Sequence, residues 1–351
     1  MQDLENIRDN FKSELEKAYL GENSSLSYLK TELPYNPNPP EHYQVMVLGG
    51  TNFSTAKVIR KNGEINLFGI VKEKLNAFKS SGELFDFIFE RVDFTADTIC
   101  LNFAFPLELK VREGKIDGTL LKTTKEQQFS DLVGKNVGES LEKYILEKTG
   151  RDVNFYVAND TICLLLASTI ISGRENIVAA ILGTGFNLGI FEGENTLVNL
   201  EAGAFDKFER SLYAEKIDAG SFDRGKNLFE KEISGAYLYL HFNYKVKEEN
   251  INFEPIFSTQ RLFETAFSDE TDETIRKIAI NIINHSAQKV AAVLAGVAEF
   301  KKTNIEVSIQ GALFTNEYKD MLAEFFESLS AYSLRLYKIE NSSRLGAAYL
   351  V

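Results

Sequence analysis

The sequence is poor in cysteine and histidine, and it contains no long hydrophobic run. Its two cysteines, Cys100 and Cys163, have hydrophobic neighbours, which indicates buried thiols in a reducing compartment rather than a disulfide or metal site. The three histidines are scattered without the spacing of metal ligands. The longest apolar candidate, residues 161–171, is too short to span a membrane. The N-terminus is acidic where a signal peptide would be basic, so we expect a cytoplasmic protein without membrane insertion.

Positive charge is also scarce. The chain has 39 Lys and Arg against 51 Asp and Glu, a formal net charge of −12. This balance disfavours nucleic acid or an anionic membrane as the main partner, although it leaves room for a local basic pocket that binds phosphates. A length of 351 residues is enough for two lobes that each have a core.

Proline is rare except in one place, because four of the six prolines fall within residues 34–40. This stretch predicts a stiff connector after an amphipathic helix over residues 3–19. Beyond it, strand-like runs alternate with helical ones, which favours an α/β fold. The longer helices are predicted at residues 131–148, 222–239, 274–300 and 316–329.

Glycine is concentrated in turns that follow apolar strands. Leu48-Gly49-Gly50-Thr51-Asn52 joins two strand-like runs, and Leu182-Gly183-Thr184-Gly185 repeats the pattern. A third turn contains Gly311 and Ala312. Successive backbone N–H groups in such turns can approach phosphate oxygens closely. Each turn alone is typical of a simple hairpin, whereas three of them favour a nucleotide site. The spacing is not the G-x-G-x-x-G of a Rossmann unit.

Asp160 lies where a β-rich run ends and an apolar helix begins, a position well placed to face a cleft. Sugar hydroxyls need amide and carboxylate partners once water is excluded. These amide and carboxylate groups could come from Asn159, Asn187, Glu201 and Glu230. Lys125 could add a cationic donor. Taken singly, each is typical of a solvated polar residue.

Taken together in their order along the chain, these motifs resemble those of the eukaryotic-type hexokinases (the glucokinase-like branch) in the actin/Hsp70/sugar-kinase superfamily. The resemblance runs from about residue 24 to the C-terminus. Residues 48–53 match the first phosphate motif of the family, and residues 103–106 with 124–125 match its sugar segment. Residues 159–161 match its Asn-Asp-Thr motif. Its second phosphate motif is residues 182–187, and the segments that carry the two sugar-binding glutamates are 199–205 and 225–235.

The resemblance implies a two-lobed actin-like ATPase (ribonuclease H-like) α/β fold with an interlobe cleft. Residues 43–158 and 343–351 would form the small lobe and residues 159–342 the large one, on which residues 1–42 would pack. The implied reaction is phosphorylation of the 6-hydroxyl of glucose or a related hexose by ATP, a step that enters glycolysis, with Asp160 as general base. The implied hexose-binding residues are Thr124, Lys125, Asn159, Asp160, Asn187, Glu201 and Glu230.

The same resemblance implies the nucleotide site. The ATP phosphates would bind at Gly49, Gly50, Thr51, Asn52, Gly183, Thr184 and Gly185. The adenosine region would include Gly311, Ala312 and Gly346. Mg²⁺ would be held through ATP and water near Asp160, without a direct protein ligand.

Several residues depart from the family pattern. Val47 stands where the family has Asp, Ser54 where it has Arg, and Ala104 where it has Ser; Gln310-Gly311-Ala312 replaces the usual Asp-Gly. Most of these changes fall in the motifs that the resemblance assigns to the nucleotide and its metal ion. They motivate a rival hypothesis, a sugar-binding or regulatory protein that has lost efficient transfer. A third reading is a kinase with another phosphate donor or acceptor.

Overall fold

The computed structural model describes residues 2–123 and 127–351, so the predicted sugar-binding Thr124 and Lys125 lie outside the described residues. The helices are α1 (Gln2–Tyr19), α2 (Ser81–Phe89), α3 (Val137–Thr149), α4 (Asp160–Ala167), α5 (Leu212–Ala219), α6 (Leu228–Ile233), α7 (Leu238–Glu248), α8 (Thr259–Phe267), α9 (Glu273–Lys301), α10 (Asn316–Leu329) and α11 (Ser342–Ala348). Short 3₁₀ helices lie at Ser130–Leu132, Ser168–Ile170 and Ala202–Ala204.

The strands alternate with these helices, and the predicted mixed α/β class is confirmed. They are β1 (Leu29–Glu32), β2 (His42–Leu48), β3 (Asn52–Lys61), β4 (Glu64–Lys74), β5 (Thr98–Phe103), β6 (Leu107–Arg112), β7 (Lys115–Leu120), β8 (Asn154–Ala158), β9 (Ile177–Leu182), β10 (Phe186–Glu192), β11 (Thr196–Asn199), β12 (Ile305–Gln310) and β13 (Leu334–Tyr337). No helix within the described ranges combines the length and apolarity needed to cross a membrane.

Contacts divide the chain into two compact units. Unit 1 comprises residues 1–28, 178–188 and 200–338, and unit 2 comprises residues 29–177, 189–199 and 339–351. The lobe boundaries that the sequence suggested stay a prediction. Each unit has its own hydrophobic interior.

Unit 2 is built on a five-stranded sheet with the order β4-β3-β2-β5-β8. Strand β2 pairs antiparallel with β3 and parallel with β5, and β5 pairs parallel with β8. The unit also contains the β6–β7 hairpin and the antiparallel strands β1, β11 and the end of β10. A cluster of buried side chains, with Phe53, Phe103 and Phe155 among them, forms its main core. Helices α4 and α11 pack closely together in the same unit.

Unit 1 contains the consecutive strands β13, β12, β9 and the first residues of β10, with β12 and β13 parallel. Its longest helix, α9, is buried along much of its length and packs against α1, α8 and α10. The α1–α9 approach is close, since a Cβ added to Gly296 would lie 2.8 Å from the carbonyl oxygen of Arg8. The predicted N-terminal helix and the predicted helices over 274–300 and 316–329 are confirmed within two residues at each end.

Two predicted helices are wrong in extent. The helix expected over residues 131–148 begins only at Val137, because Gly134 has a left-handed conformation (φ +79°) that an α-helix cannot contain. The helix expected over residues 222–239 is two separate helices, α6 and α7. Asn227 is left-handed before α6, and Ser234 is extended after it. The second break places Glu230, a predicted hexose-binding residue, in the short helix α6.

Candidate active site

The glycine turn between β9 and β10, in unit 1, is fixed from one side by hydrogen bonds to its carbonyl groups. The N–H of Gly235 donates to the carbonyl of Gly183 at 2.8 Å, and the N–H of Ala236 donates to that of Thr184 at 3.2 Å. The hydroxyl of Ser234 also donates to the Thr184 carbonyl, at 2.8 Å. The turn itself is closed by a bond from the Gly183 N–H to the Gly185 carbonyl.

These bonds determine which way the remaining N–H groups point. In a trans peptide the N–H of one residue is directed away from the carbonyl of the residue before it. Because the carbonyls of Gly183 and Thr184 both face residues 234–236, the N–H groups of Thr184 and Gly185 face the opposite side. Neighbouring N–H groups with a shared direction form a concavity that suits an anion. Thr184 is exposed, so this side of the turn is accessible.

Glu230 stands against the same turn. Its Oε2 accepts a hydrogen bond from the N–H of Phe186 at 3.0 Å, and a Cβ added to Gly185 would overlap with that oxygen. Gly203 also packs on the Glu230 side chain, since its added Cβ would lie 3.2 Å from the Glu230 Cβ. The glycines at 185 and 203 therefore leave the space in which the Glu230 carboxylate lies.

Asn187 connects this region to Glu201. Its Oδ1 accepts hydrogen bonds from the N–H of Leu188 at 2.7 Å and from that of Ala202 at 3.1 Å. Glu201, next to Ala202, has a left-handed backbone with φ +46°, a conformation that side-chain-bearing residues adopt rarely and that often accompanies function. Asn187, Glu201 and Glu230 are all half-buried. The structure thus brings three of the predicted hexose-binding residues together within unit 1.

Buried ion pairs fix helix α6 on both sides of Glu230. Lys231 is fully buried, and its Nζ lies 2.7 Å from Asp218 Oδ1 and 2.9 Å from Asp223 Oδ1. Glu232 is also fully buried, and its Oε1 lies 2.9 Å from Lys289 Nζ on α9. Sequence analysis missed this support, because its partners come from separate segments. The one available signal was a run of alternating charges, Glu-Lys-Glu, inside an otherwise apolar stretch.

The predicted adenosine segment lies directly beside the second turn. A Cβ added to Gly183 would lie 3.7 Å from the Cα of Gly311 and 3.9 Å from the nitrogen of Ala312. Gly311 has φ +130°, which only glycine adopts readily, and an added Cβ there would lie 2.8 Å from the Gly183 nitrogen. Both Gly311 and Ala312 are exposed. The anion-facing turn and this segment therefore form one accessible surface of unit 1.

The first glycine turn, in unit 2, is a tight hairpin between β2 and β3. The Gly49 N–H donates to the Asn52 carbonyl at 2.9 Å, and the Leu75 N–H donates to the Thr51 carbonyl at 2.9 Å. The carbonyl of Gly50 accepts from Gln127 Nε2 at 3.4 Å, which directs the N–H of Thr51 the other way. Thr51 and Asn52 are exposed at the tip. This turn also has accessible N–H groups, although only one of its central peptides is oriented by a side chain.

Asn159 and Asp160 lie in unit 2, where the parallel strand β8 passes into α4. Asn159 is the N-cap of α4, because its Oδ1 accepts from the N–H of Ile162 at 3.0 Å. Asp160 is the first helical residue and half-exposed, and its Oδ1 accepts from the Thr161 N–H at 2.9 Å. Residues of α4 beyond it are buried, which anchors the carboxylate to a rigid element.

Gly346 differs from the other predicted nucleotide residues. It is buried in α11, and a Cβ at this position would overlap with the carbonyl group of Cys163 in α4. Close helix packing alone accounts for glycine here, and a nucleotide role stays a prediction. The described Cys100 and Cys163 are both buried free thiols, as expected. No group of three or more His, Cys, Asp and Glu side chains in residues 2–123 and 127–351 could hold a metal ion.

Comparison with solved structures defines the class of fold. A hexokinase from Schistosoma mansoni in complex with glucose has a TM-score of 0.79 at 20% identity, and the match covers 99% of this chain and 94% of the other. A ROK hexokinase from Thermus thermophilus has a TM-score of 0.61 at 17% identity, over 88% of this chain and 98% of the other. The chain has the two-lobed, actin-like sugar-kinase fold that the sequence predicted.

Sequence comparison defines the family. Two family models, both described as hexokinase, match residues 1–170 and residues 177–239 with 243–351. Hexokinase-5 of Oryza sativa subsp. japonica is 29% identical over an alignment of 280 residues, and the match covers 67% of this chain and 53% of the rice protein. The chain belongs to the hexokinase family. It spans about half the length of the curated relatives it matches.

Proposed function

We propose that the protein transfers the terminal phosphoryl group of ATP to the 6-hydroxyl of a hexose, with glucose as the first candidate. Membership of the hexokinase family supports a sugar kinase. The observation that carries the finer proposal is the second turn. The same three residues direct two N–H groups to one side and border the Glu230 carboxylate. One rigid turn would therefore contact both the phosphate donor and the hexose.

Phosphoryl transfer relies on positioning and on neutralising charge, with little covalent chemistry for the protein to perform. The N–H groups of Thr51, Thr184 and Gly185 would hold phosphate oxygens. Glu201 and Glu230 would accept hydrogen bonds from hexose hydroxyls. Asn187, whose Oδ1 already accepts two backbone N–H groups, would donate to a hydroxyl through its Nδ2. Asp160 would take the proton of the attacking hydroxyl, a role that typically contributes about 10²–10⁴-fold to the rate.

The donor groups of the two glycine turns fit a nucleotide better than a metal ion bound directly by protein. The turns offer N–H and hydroxyl groups, and position 47 on β2 carries a valine rather than a carboxylate. Mg²⁺ prefers oxygen ligands, keeps several waters and usually binds through substrate phosphates. It would therefore arrive with ATP and neutralise charge on the phosphates.

The decisive measurement is hexose-dependent ADP release by the purified protein with Mg-ATP. Asp160→Asn keeps the helix N-terminus and the size of the side chain but removes the base, so we expect the rate to fall by about 10²-fold or more. Asp152→Asn, an exposed residue of the same unit, is the matched control for the lost charge. Hexose binding should survive in Asp160→Asn. An Asp160→Asn protein with the rate of the wild type would refute the assignment of the base.

A second candidate is a sugar-binding protein without efficient transfer, and Val47 is the observation that favours it. Without a carboxylate at this position, less negative charge surrounds the metal carried by the nucleotide. Hexose binding in a titration, with no ADP release from ATP, ADP or polyphosphate as donor, would support this candidate. Recovery of turnover in Val47→Asp would locate the defect at β2.

A further inference from the structure

A buried arginine of unit 2 lacks a counter-charge. Arg344, in α11, is 8% exposed, and its Nη1 donates to Ser54 Oγ at 3.0 Å while its Nη2 donates to Asn341 Oδ1. Its Nε has no hydrogen-bond partner. No acidic side chain within residues 2–123 or 127–351 forms an ion pair with it, and burial lowers the pKa of its guanidinium.

Such an arrangement is costly for a fold. A guanidinium remains protonated under all ordinary conditions, so it cannot escape burial by losing its proton. Burying a charge that is neither paired nor fully hydrogen-bonded is strongly unfavourable. Its natural complement is an anion with several oxygens, because the planar guanidinium donates two parallel hydrogen bonds to carboxylate or phosphate.

The position of Arg344 in the sheet indicates which anion. Ser54, its hydroxyl partner, lies in β3 just beyond the first glycine turn and pairs in register with Val47 of β2. Val47 pairs in turn with Asn102 of β5. Directly opposed residues of neighbouring strands point to the same face of a sheet. Arg344 therefore contacts the sheet face that carries positions 47 and 54, two of the positions where the chain departs from the hexokinase pattern.

A second unsatisfied group lies on the same face. Asn102 is fully buried, and its Nδ2 donates to the Ser343 carbonyl at 3.2 Å, while its Oδ1 has no partner. In native proteins most buried polar atoms are paired, and an exception calls for an explanation such as an unoccupied ligand or water position. The unpaired Asn102 Oδ1 is an acceptor, so it suits a donor such as water and not a phosphate oxygen; the unpaired donor next to this face is the Arg344 Nε.

We propose that Arg344 supplies, from α11, a phosphate-binding cation beside Ser54, the position at which the hexokinase pattern has an arginine. Its ligand is a phosphate group of the nucleotide donor. Ser54 and Asn341 are positioning residues, because each accepts from one Nη and so orients the guanidinium. The inference rests on the proposed function for the identity of the ligand, but it assigns the charge to a residue outside the sequence motifs.

The test uses the whole protein and the variant Arg344→Met, which keeps the apolar stem and removes the charge. Binding of inorganic tripolyphosphate and of ATP is measured by calorimetry without hexose, and hexose binding is measured separately. We expect tripolyphosphate to bind at least 10-fold more weakly, while hexose affinity changes less than 2-fold. The melting temperature without ligand should be unchanged or higher, because an unpaired buried charge is gone. Arg151→Gln, an exposed arginine that donates to the Phe94 carbonyl at 3.1 Å, is the matched control and should bind tripolyphosphate as the wild type does.

A relocated charge provides the rescue. Ser54→Arg, added to Arg344→Met, should restore most of the tripolyphosphate affinity, because it returns a cation to the same sheet face. If Arg344→Met also loses hexose binding, Arg344→Lys is measured in its place. Weaker tripolyphosphate binding by Arg344→Lys, with normal hexose binding, supports the proposal. Normal affinity of Arg344→Lys for both ligands overturns it. Unchanged tripolyphosphate affinity in Arg344→Met overturns it directly.

The proposal and the proposed function fail in distinguishable ways. Arg344-dependent tripolyphosphate binding in a protein that phosphorylates no hexose would refute the kinase and leave the anion site standing. Hexose phosphorylation with an unchanged KM for ATP in Arg344→Met would refute the anion site alone. A wild-type protein that binds neither tripolyphosphate nor ATP would refute both.

Discussion

Gly185→Ala should weaken hexose binding by displacing the Glu230 carboxylate. A Cβ at position 185 would overlap with Glu230 Oε2 and lie 3.2 Å from its Cδ. Since non-bonded carbon contacts are favourable only at about 3.5–4.0 Å, the carboxylate has to move by about 1 Å. The displaced group is the end of a flexible side chain, so the fold accommodates the change more easily than a backbone overlap.

The expected magnitude follows from the bond that is lost. A hydrogen bond to a charged group contributes about 1.5–3 kcal/mol, and each 1.4 kcal/mol corresponds to about 10-fold in affinity. We therefore expect the hexose Kd to rise by about 10- to 100-fold in an equilibrium titration without nucleotide. Loss of the Phe186 N–H bond to Glu230 should lower the melting temperature by only about a few degrees.

Gly183→Ala is the matched control in the same turn. Its added Cβ would meet its nearest atoms at 3.7 and 3.9 Å, which are ordinary contact distances, and its φ is not left-handed. Its hexose Kd should stay within about 2-fold of the wild type, because the Glu230 carboxylate is not touched. Wild-type hexose affinity in Gly185→Ala, with the protein folded, would contradict the role assigned to Glu230.

Two further predictions concern stability. Gly346→Ala should lower the free energy of unfolding by at least about 1–3 kcal/mol in urea titrations, because its Cβ overlaps with the α4 backbone. Gly82→Ala is the control and should not destabilise the fold, because its Cβ has only the Ser80 hydroxyl within 4 Å. Glu232→Gln should cost about 3–5 kcal/mol at pH 7, because it leaves Lys289 buried beside a neutral group. Burial alone would raise the pKa of Glu232, but the hydrogen bond from His285 and the charge of Lys289 outweigh it and hold that pKa well below its usual range. A lowered carboxyl pKa stabilises the fold at pH values above the unfolded-state pKa of about 4.3, and this stabilisation is lost as the pH falls below that value. The difference in free energy of unfolding between wild type and Glu232→Gln should therefore shrink in acid. A difference that does not depend on pH would contradict this account.

The sequence was most informative where function depends on neighbours in the chain. Both glycine turns are hairpin connections between strands, as predicted, and Asp160 does begin a helix directly after a parallel strand. The turn of the β6–β7 hairpin was overlooked, although Glu113-Gly114 between alternating residues was a visible signal; both residues have positive φ. Helix breaks at Gly134 and Asn227 were missed because hydrophobic spacing continues across them while the backbone does not.

Contacts between distant segments could not be predicted in this way. Arg344 and Ser54 are separated by 290 positions, and nothing near either residue indicates the other. The same holds for Lys289 of α9 and Glu232 of α6, which are 57 positions apart. A single sequence reports the local preferences of the backbone. The pairing of buried charges depends on which elements the tertiary fold brings together, and it appears only in the structure.

The second turn would keep its proposed phosphate contacts despite the departures at positions 47 and 54. Residues 183–185 are held by backbone carbonyl bonds to residues 234–236, and no side chain at position 47 or 54 takes part in them. Those bonds direct the Thr184 and Gly185 N–H groups whatever the first hairpin carries. A chain can therefore lose a carboxylate and a cation at β2 and β3 and still keep one preorganised anion-facing turn. The departures at positions 47 and 54 then change the charge near the first hairpin, and Arg344 lies in that region.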